Sequence, residues 1–173
     1  MNQRNKVLFI ILGVLVVTGF VLSVFGFMTG LQKSRDGGNV PTVDIPADIA
    51  EHIKSKSNLI VVDEPRILSV ITSPLIVRGQ ARGTWYFEAS FPIILTDWDG
   101  RIIAQWYATA QGEWMTEDFV PFEGKIEFDN PSFPGADKDH FSRRGFLIFQ
   151  KDNPSGLPKH DDALEIPIWF ARR

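Results

Sequence analysis

Hydrophobic and polar positions divide the chain into three stretches. From Val7 to Met28 the residues are apolar or small and carry no charge, VLFIILGVLVVTGFVLSVFGFM, with Arg4 and Lys6 just ahead. As a helix this run reaches about 33 Å, enough to cross a bilayer core of about 30 Å. It predicts a single transmembrane helix over 7–30 behind a tail of residues 1–6. From Leu31 the pattern turns polar: KSRDGGN at 33–39, then Pro41, Pro46 and Asp48–Lys56, in which Ile49 and Ile53 stand four apart. One or two helical turns there are too short to stand alone, so residues 31–57 read as a stalk.

Beyond residue 58 the period shortens to two. Leu59–Val62 and Ile67–Ile71 are apolar strand candidates either side of Glu64-Pro65, and Leu75–Ala81 sets Leu75, Val77, Gly79 and Ala81 on one face. Thr84–Phe91, TWYFEASF, alternates Trp85, Phe87, Ala89 and Phe91 against Tyr86, Glu88 and Ser90, which predicts a strand with Trp85 in the core. Ile93–Trp98 and Arg101–Tyr107 flank Asp99-Gly100, a strong hairpin signal. Phe122–Phe128 points Phe122, Gly124, Ile126 and Phe128 one way and Glu123, Lys125 and Glu127 the other. Gly145–Phe149 is apolar on both faces and reads as central, whereas Pro167 places Leu164–Phe170 at an edge or a bulge. Seven or so short strands without a long helix predict an all-β domain over 58–173, an antiparallel β-sandwich.

Composition adds exclusions. The 173 residues carry a net charge of −3 and no cysteine, which removes disulfides, thiolate metal sites, cysteine nucleophiles and a lipidated-cysteine anchor. The close basic pairs Arg143-Arg144 and Arg172-Arg173 are no footprint for nucleic acid. The apolar run exceeds the core of a signal peptide, and its nearest small-x-small site, Val24-Phe25-Gly26, lies inside it. A retained anchor is the expected reading, with cleavage the alternative. Arg4 and Lys6 are matched by Lys33 and Arg35, so the short tail and α-amino group decide for N-in and C-out. Gly19, Ser23, Gly26 and Gly30 share one helix face, a spacing that lets two membrane helices approach closely and form a homo-oligomer; glycine is also simply common in such helices.

The ordered set Ser73-Pro74-Leu75-Ile76-Val77-x-Gly79-x-Ala81-Arg82, then Trp85-x-Phe87-Glu88-Ala89-x-Phe91, Asp97, Gly100, Ala108, Ala110 and Gly112–Phe122 resembles the immunoglobulin-like domain of bacterial spore germination. The resemblance covers about residues 60–171. It implies an immunoglobulin-like sandwich on the outer side of a bacterial membrane and supplies no catalytic residues. Asn130–Arg144, NPSFPGADKDHFSRR, departs from the family pattern as an enlarged loop.

Candidate chemistry is sparse. His52, His140 and His160 are scattered, no G-x-S-x-G or H-E-x-x-H is present, and Glu88 beside Glu117 or Asp118 more simply gives solvated carboxylates than a glycosidase pair. Asp97, Asp99, Asp137, Asp139, Asp161 and Asp162 offer oxygen ligands without a complete calcium loop, and no cofactor or metal is expected. Trp114-Met115, between Gly112 and Glu117-Asp118, is the expected partner contact, Trp114, Met115, Glu117 and Asp118 together; the alternative is a Trp114 ring plugging the sandwich end. The Asn153-Pro154-Ser155-Gly156 turn reads as a connection. The expectation is a non-catalytic, membrane-anchored, extracytoplasmic binding or scaffolding module of a bacterial envelope, with an envelope protein or cell-wall partner. Its alternatives are a cell-wall glycan-binding module and a membrane assembly subunit associating through its helix.

Overall fold

A computed structural model describes residues 45–173. The expected transmembrane helix over 7–30, its stripe Gly19, Ser23, Gly26 and Gly30, and the stalk as far as residue 44 lie outside the described residues. Among the described residues no helix is long and apolar enough to cross a membrane. The elements are α1 (Ala47–Lys56), β1 (Ile60–Glu64), β2 (Val70–Ile71), β3 (Leu75–Arg82), β4 (Ser90–Asp97), β5 (Ile102–Ala110), β6 (Phe119–Ile126), β7 (Arg144–Gln150) and β8 (Ala163–Phe170).

The strands hydrogen-bond in the order β1-β3-β6-β5-β4-β7-β8-β2. All neighbours are antiparallel except β2 and β8, whose short parallel pairing (Val70↔Trp169, Ile71↔Phe170) departs from the antiparallel expectation. The sheet is rolled over on itself. The Phe122 ring of β6 lies 5.1 Å from Phe91 of β4 and 5.8 Å from Phe149 of β7, although two strands separate β6 from β7 in the order. Between the two layers sit Val77, Ala81, Phe91, Ile93, Leu95, Phe122, Ile126, Leu147, Phe149, Ile166 and Phe170, all buried. Strand β6 follows its alternation: Phe122, Gly124 and Ile126 are buried while Glu123 and Lys125 face solvent.

Thr84–Ala89 is not a strand; of the expected run only Ser90 and Phe91 belong to one, the start of β4. Gly83–Trp85 makes one 3-10 turn, and Glu88 and Ala89 both take positive φ, 50° and 61°. Phe87 and Ser90 exchange backbone hydrogen bonds of 3.0 and 3.1 Å across them, so the chain reverses in a two-residue loop before β4. Trp85 is a core residue, as expected, but Tyr86 is buried beside it and Phe87 is exposed, the reverse of the expected alternation.

Residues 47–56, expected within the stalk, form a helix joined to the β-domain. Ile53 packs on the core, Lys56 pairs with Asp162, and His52 Nε2 accepts the Glu165 N–H at 3.2 Å. The packed unit therefore starts upstream of the expected boundary at residue 58. The edge of β8 away from β7 is closed piece by piece: His52 takes the Glu165 N–H, the Leu68 N–H meets the Pro167 carbonyl (2.8 Å), and Ser69 and Ile71 carbonyls take the N–H groups of Trp169 and Ala171. Pro167 has no N–H to offer that edge, and only its carbonyl is needed there. A proline in this strand is thereby explained.

Candidate binding site

The β4–β5 turn is built by one carboxylate. Asp97 is buried, and its Oδ1 accepts the N–H groups of Asp99 and Arg101, both at 3.0 Å, while Oδ2 accepts Arg101 Nε and Nη2 at 3.1 and 3.0 Å. Burial pushes this carboxyl up, but the N–H donors and the Arg101 charge together outweigh it and hold it below its ordinary value. The turn so fixed carries Trp98 outward, 43% exposed.

The Asn130–Arg144 loop supplies the facing wall. It is stapled to the end of β8: Asn130 Nδ2 and Ser132 Oγ donate to the Ala171 carbonyl (2.8 and 3.1 Å), and Arg143 donates to the carbonyls of Phe170 (2.8 Å) and Lys138 (2.6 Å). Arg143 is thus a buried guanidinium whose bonds hold the loop down. The loop presents Phe141, whose ring meets Trp98 edge to face at 4.8 Å and stacks on His140 at 4.5 Å.

Between these walls, on the outer face of β7 and β8, lies a groove of about 570 Å³ lined by Pro46, Ile49, Leu68, Trp98, Phe141, Arg144, Gly145, Phe146, Pro167, Ile168 and Trp169. Register explains its floor: Arg144 stands opposite Trp169 and Phe146 opposite Pro167, so both pairs point to the same side. The Arg144 guanidinium sits 5.4 Å from the Trp169 ring centroid, a cation–π distance. Apolar clefts of this size with a few convergent polar groups are the usual form of binding sites.

The expected contact residues lie elsewhere. Trp114, Met115 and Glu117 line a shallow depression with Gly83, Thr84, Tyr86 and Thr116, which Asp118 does not enter. Trp114 is half-buried against the core, whereas Met115, at 74% exposure, Glu117 and Asp118 are exposed. Main-chain bonds fix this loop: Gly83 N–H donates to the Asp118 carbonyl (3.1 Å), Arg82 Nη1 to the Glu117 carbonyl (3.2 Å) and Met115 N–H to Glu113 Oε1 (3.0 Å). Any Cβ on Gly83 would strike the carbonyls of Trp114 and Thr116.

Other singled-out residues are engaged locally. His140 Nδ1 contacts Ser142 Oγ at 2.9 Å, Asp161 accepts from Asn153 Nδ2 at 2.7 Å, and Glu88 lies on the turn before β4. Among the described residues no three His, Asp or Glu side chains converge as a metal site. Trp106, 59% exposed, borders a second cleft of about 480 Å³ with Gln105, Lys125, Ile126 and Glu127, where the β5–β6 ladder stops at Ala108↔Gly124. Sequence reasoning missed the groove residues Trp98, Phe141, Arg144 and Phe146. The one available signal was Trp98 itself, a large ring set in an Asp-x-Asp-Gly turn.

No curated protein and no solved structure matches the chain. A family model does, from the residue before β1 into the Asn130–Arg144 loop, ending at 137 where the resemblance was expected to reach 171. Strands β7 and β8, with Arg144, Phe146 and Trp169, fall outside the match. Residues 59–137 match the immunoglobulin-like domain of bacterial spore germination (Gmad2), a family that suggests a non-catalytic binding module.

Proposed function

We propose that this chain is a non-catalytic binding module held at a bacterial envelope membrane by the apolar run Val7–Met28, and that the ligand of its outward-facing β-domain is a protein. The observation that carries the reading is the groove of Trp98, Phe141, Phe146 and Trp169 around Arg144. It exposes large apolar side chains on a rigid frame, which is what protein contacts use. Among the described residues it holds Arg144 as its one charged side chain and no paired carboxylate or nucleophile with a base. A sugar would need open ring faces and several hydrogen-bonding side chains, yet Trp98 and Phe141 contact each other edge to face and Arg144 lies over Trp169.

The test is photo-crosslinking in cells, with a benzophenone amino acid placed at Phe146 in one full-length variant and at Met115 in another. A protease-sensitive, muramidase-resistant adduct at position 146 supports a protein ligand in the groove. A muramidase-sensitive adduct would establish the glycan-binding alternative. Adducts at Met115 alone would move the contact to the Trp114 loop.

A further inference from the structure

Resting on the groove as a protein-binding site, we propose that its ligand is a polypeptide segment that sets a carboxylate beside one or two large apolar side chains, with Arg144 selecting the carboxylate. All other side chains lining the groove are apolar or aromatic. An apolar groove alone would accept any apolar segment; the charge at its floor is what discriminates.

Arg144 is suited to that task because nothing among the described residues neutralises it. The ion pairs of the described residues engage Lys56, Arg78, Arg101, Lys125 and Lys138, not Arg144. The adjacent Arg143 is committed to the carbonyls of Phe170 and Lys138 and is buried. Among the described residues no Asp or Glu lines the groove. On the same face of β8 the acidic residue is Glu165, four positions from Trp169 and so about 13 Å away along the strand. The Trp169 ring steadies the guanidinium without cancelling its charge, and leaves its planar fork of N–H donors for a carboxylate. A charge-assisted pair formed there, beside rings that exclude water, is stronger than one in open solvent.

The experiment is selection of a random peptide library, by messenger-RNA display, on the full-length protein in detergent micelles. Wild type, Arg144→Glu, Arg144→Met and Phe146→Glu are compared, each first shown to keep the wild-type near-ultraviolet circular dichroism. The wild type should enrich Asp or Glu next to large apolar residues at least threefold over the naive library. Arg144→Glu should invert the preference to Lys and Arg, Arg144→Met should abolish it, and Phe146→Glu should release the selected peptides. Synthetic peptides from the wild-type pool should bind Arg144→Glu at least tenfold more weakly.

Selected peptides without acidic enrichment, or with the same enrichment on Arg144→Glu, overturn the charge selection while leaving a protein-binding groove standing. Peptides that bind equally well to Phe146→Glu overturn the groove itself. A library that yields no binder on wild type, while wild-type protein is retained by vesicles of anionic lipid and Arg144→Glu is not, assigns Arg144 to a phosphate-bearing surface and overturns the peptide.

Discussion

Asp97 and Arg101 lock the β4–β5 hairpin across four residues, with Arg101 Nη2 3.0 Å from Asp97 Oδ2 and the Arg101 N–H 3.0 Å from Oδ1. The two partners differ in exposure: the Asp97 side chain is fully buried, whereas that of Arg101 is 77% exposed. Removing the carboxylate strands the N–H donors of Asp99 and Arg101 at once; removing the guanidinium leaves a group the turn still satisfies. Asp97→Ala should therefore cost about 2 kcal/mol and Arg101→Ala under about 1 kcal/mol. The folded-state pKa of Asp97 lies below its ordinary 3.8, so its stabilisation is present above that value and is lost as the pH falls through the folded one. Urea midpoints from about pH 5 down to pH 2 should show an acid limb in wild type that is shallower in Asp97→Asn. An unchanged limb would remove Asp97 as its source.

The loop before β4 carries two residues in the left-handed region that are neither glycine nor asparagine, Glu88 and Ala89. Each pays steric strain that Asn-Gly would not at these positions of a two-residue hairpin turn. The double change Glu88→Asn, Ala89→Gly should raise stability by about 1–2 kcal/mol. A urea midpoint that moves up at constant slope is the expected result, and a lower midpoint would mean that Glu88 or Ala89 makes a contact worth more than the strain.

What the sequence discloses follows local chemistry. The Asp99-Gly100 hairpin and the Phe122–Ile126 alternation are set by neighbours in the chain, and both stand in the structure. Phe87-Glu88-Ala89-Ser90 contains no Gly, Pro, Asn or Asp to betray its reversal, so alternation alone misread it as a strand. Helical turns over Asp48–Lys56 were legible but their docking was not: the helix is held by His52 meeting Glu165 of β8 and Lys56 meeting Asp162 just before it, more than a hundred residues away. Gly145–Phe149 was apolar on both faces and β7 is indeed central between β4 and β8. Its outer face, though, is groove floor rather than a second core, with Phe146 exposed. The groove joins five distant segments, which no spacing in the sequence reveals.

Cutting the chain at residue 58 would remove a working part of the fold. Without α1, Ile53 leaves the core, Asp162 loses Lys56, and the Glu165 N–H on the β8 edge loses His52. A fragment of residues 58–173 should melt about 5–10 °C below one of residues 45–173. It should also aggregate sooner, because an uncovered strand edge pairs with other chains. Thermal circular dichroism of the two fragments decides it, and equal melting would make α1 a passive passenger.

Tyr86 donates its phenol to the Val120 carbonyl at 2.7 Å from a buried position, joining the start of the β4 hairpin to β6. Burial pushes its ionisation above the ordinary 10.0, because a phenolate there would lose its water. A raised folded value means that Tyr86 contributes stability below the unfolded pKa and forfeits it as the pH climbs past that point. The chain has two tyrosines, so in Tyr107→Phe the phenolate absorbance reports Tyr86 alone. On alkaline titration that absorbance should appear only together with loss of the near-ultraviolet circular dichroism, since the phenol ionises when the core opens. Phenolate growing in at lower pH, while the dichroism holds, would show that water reaches the Tyr86 hydroxyl in the folded domain.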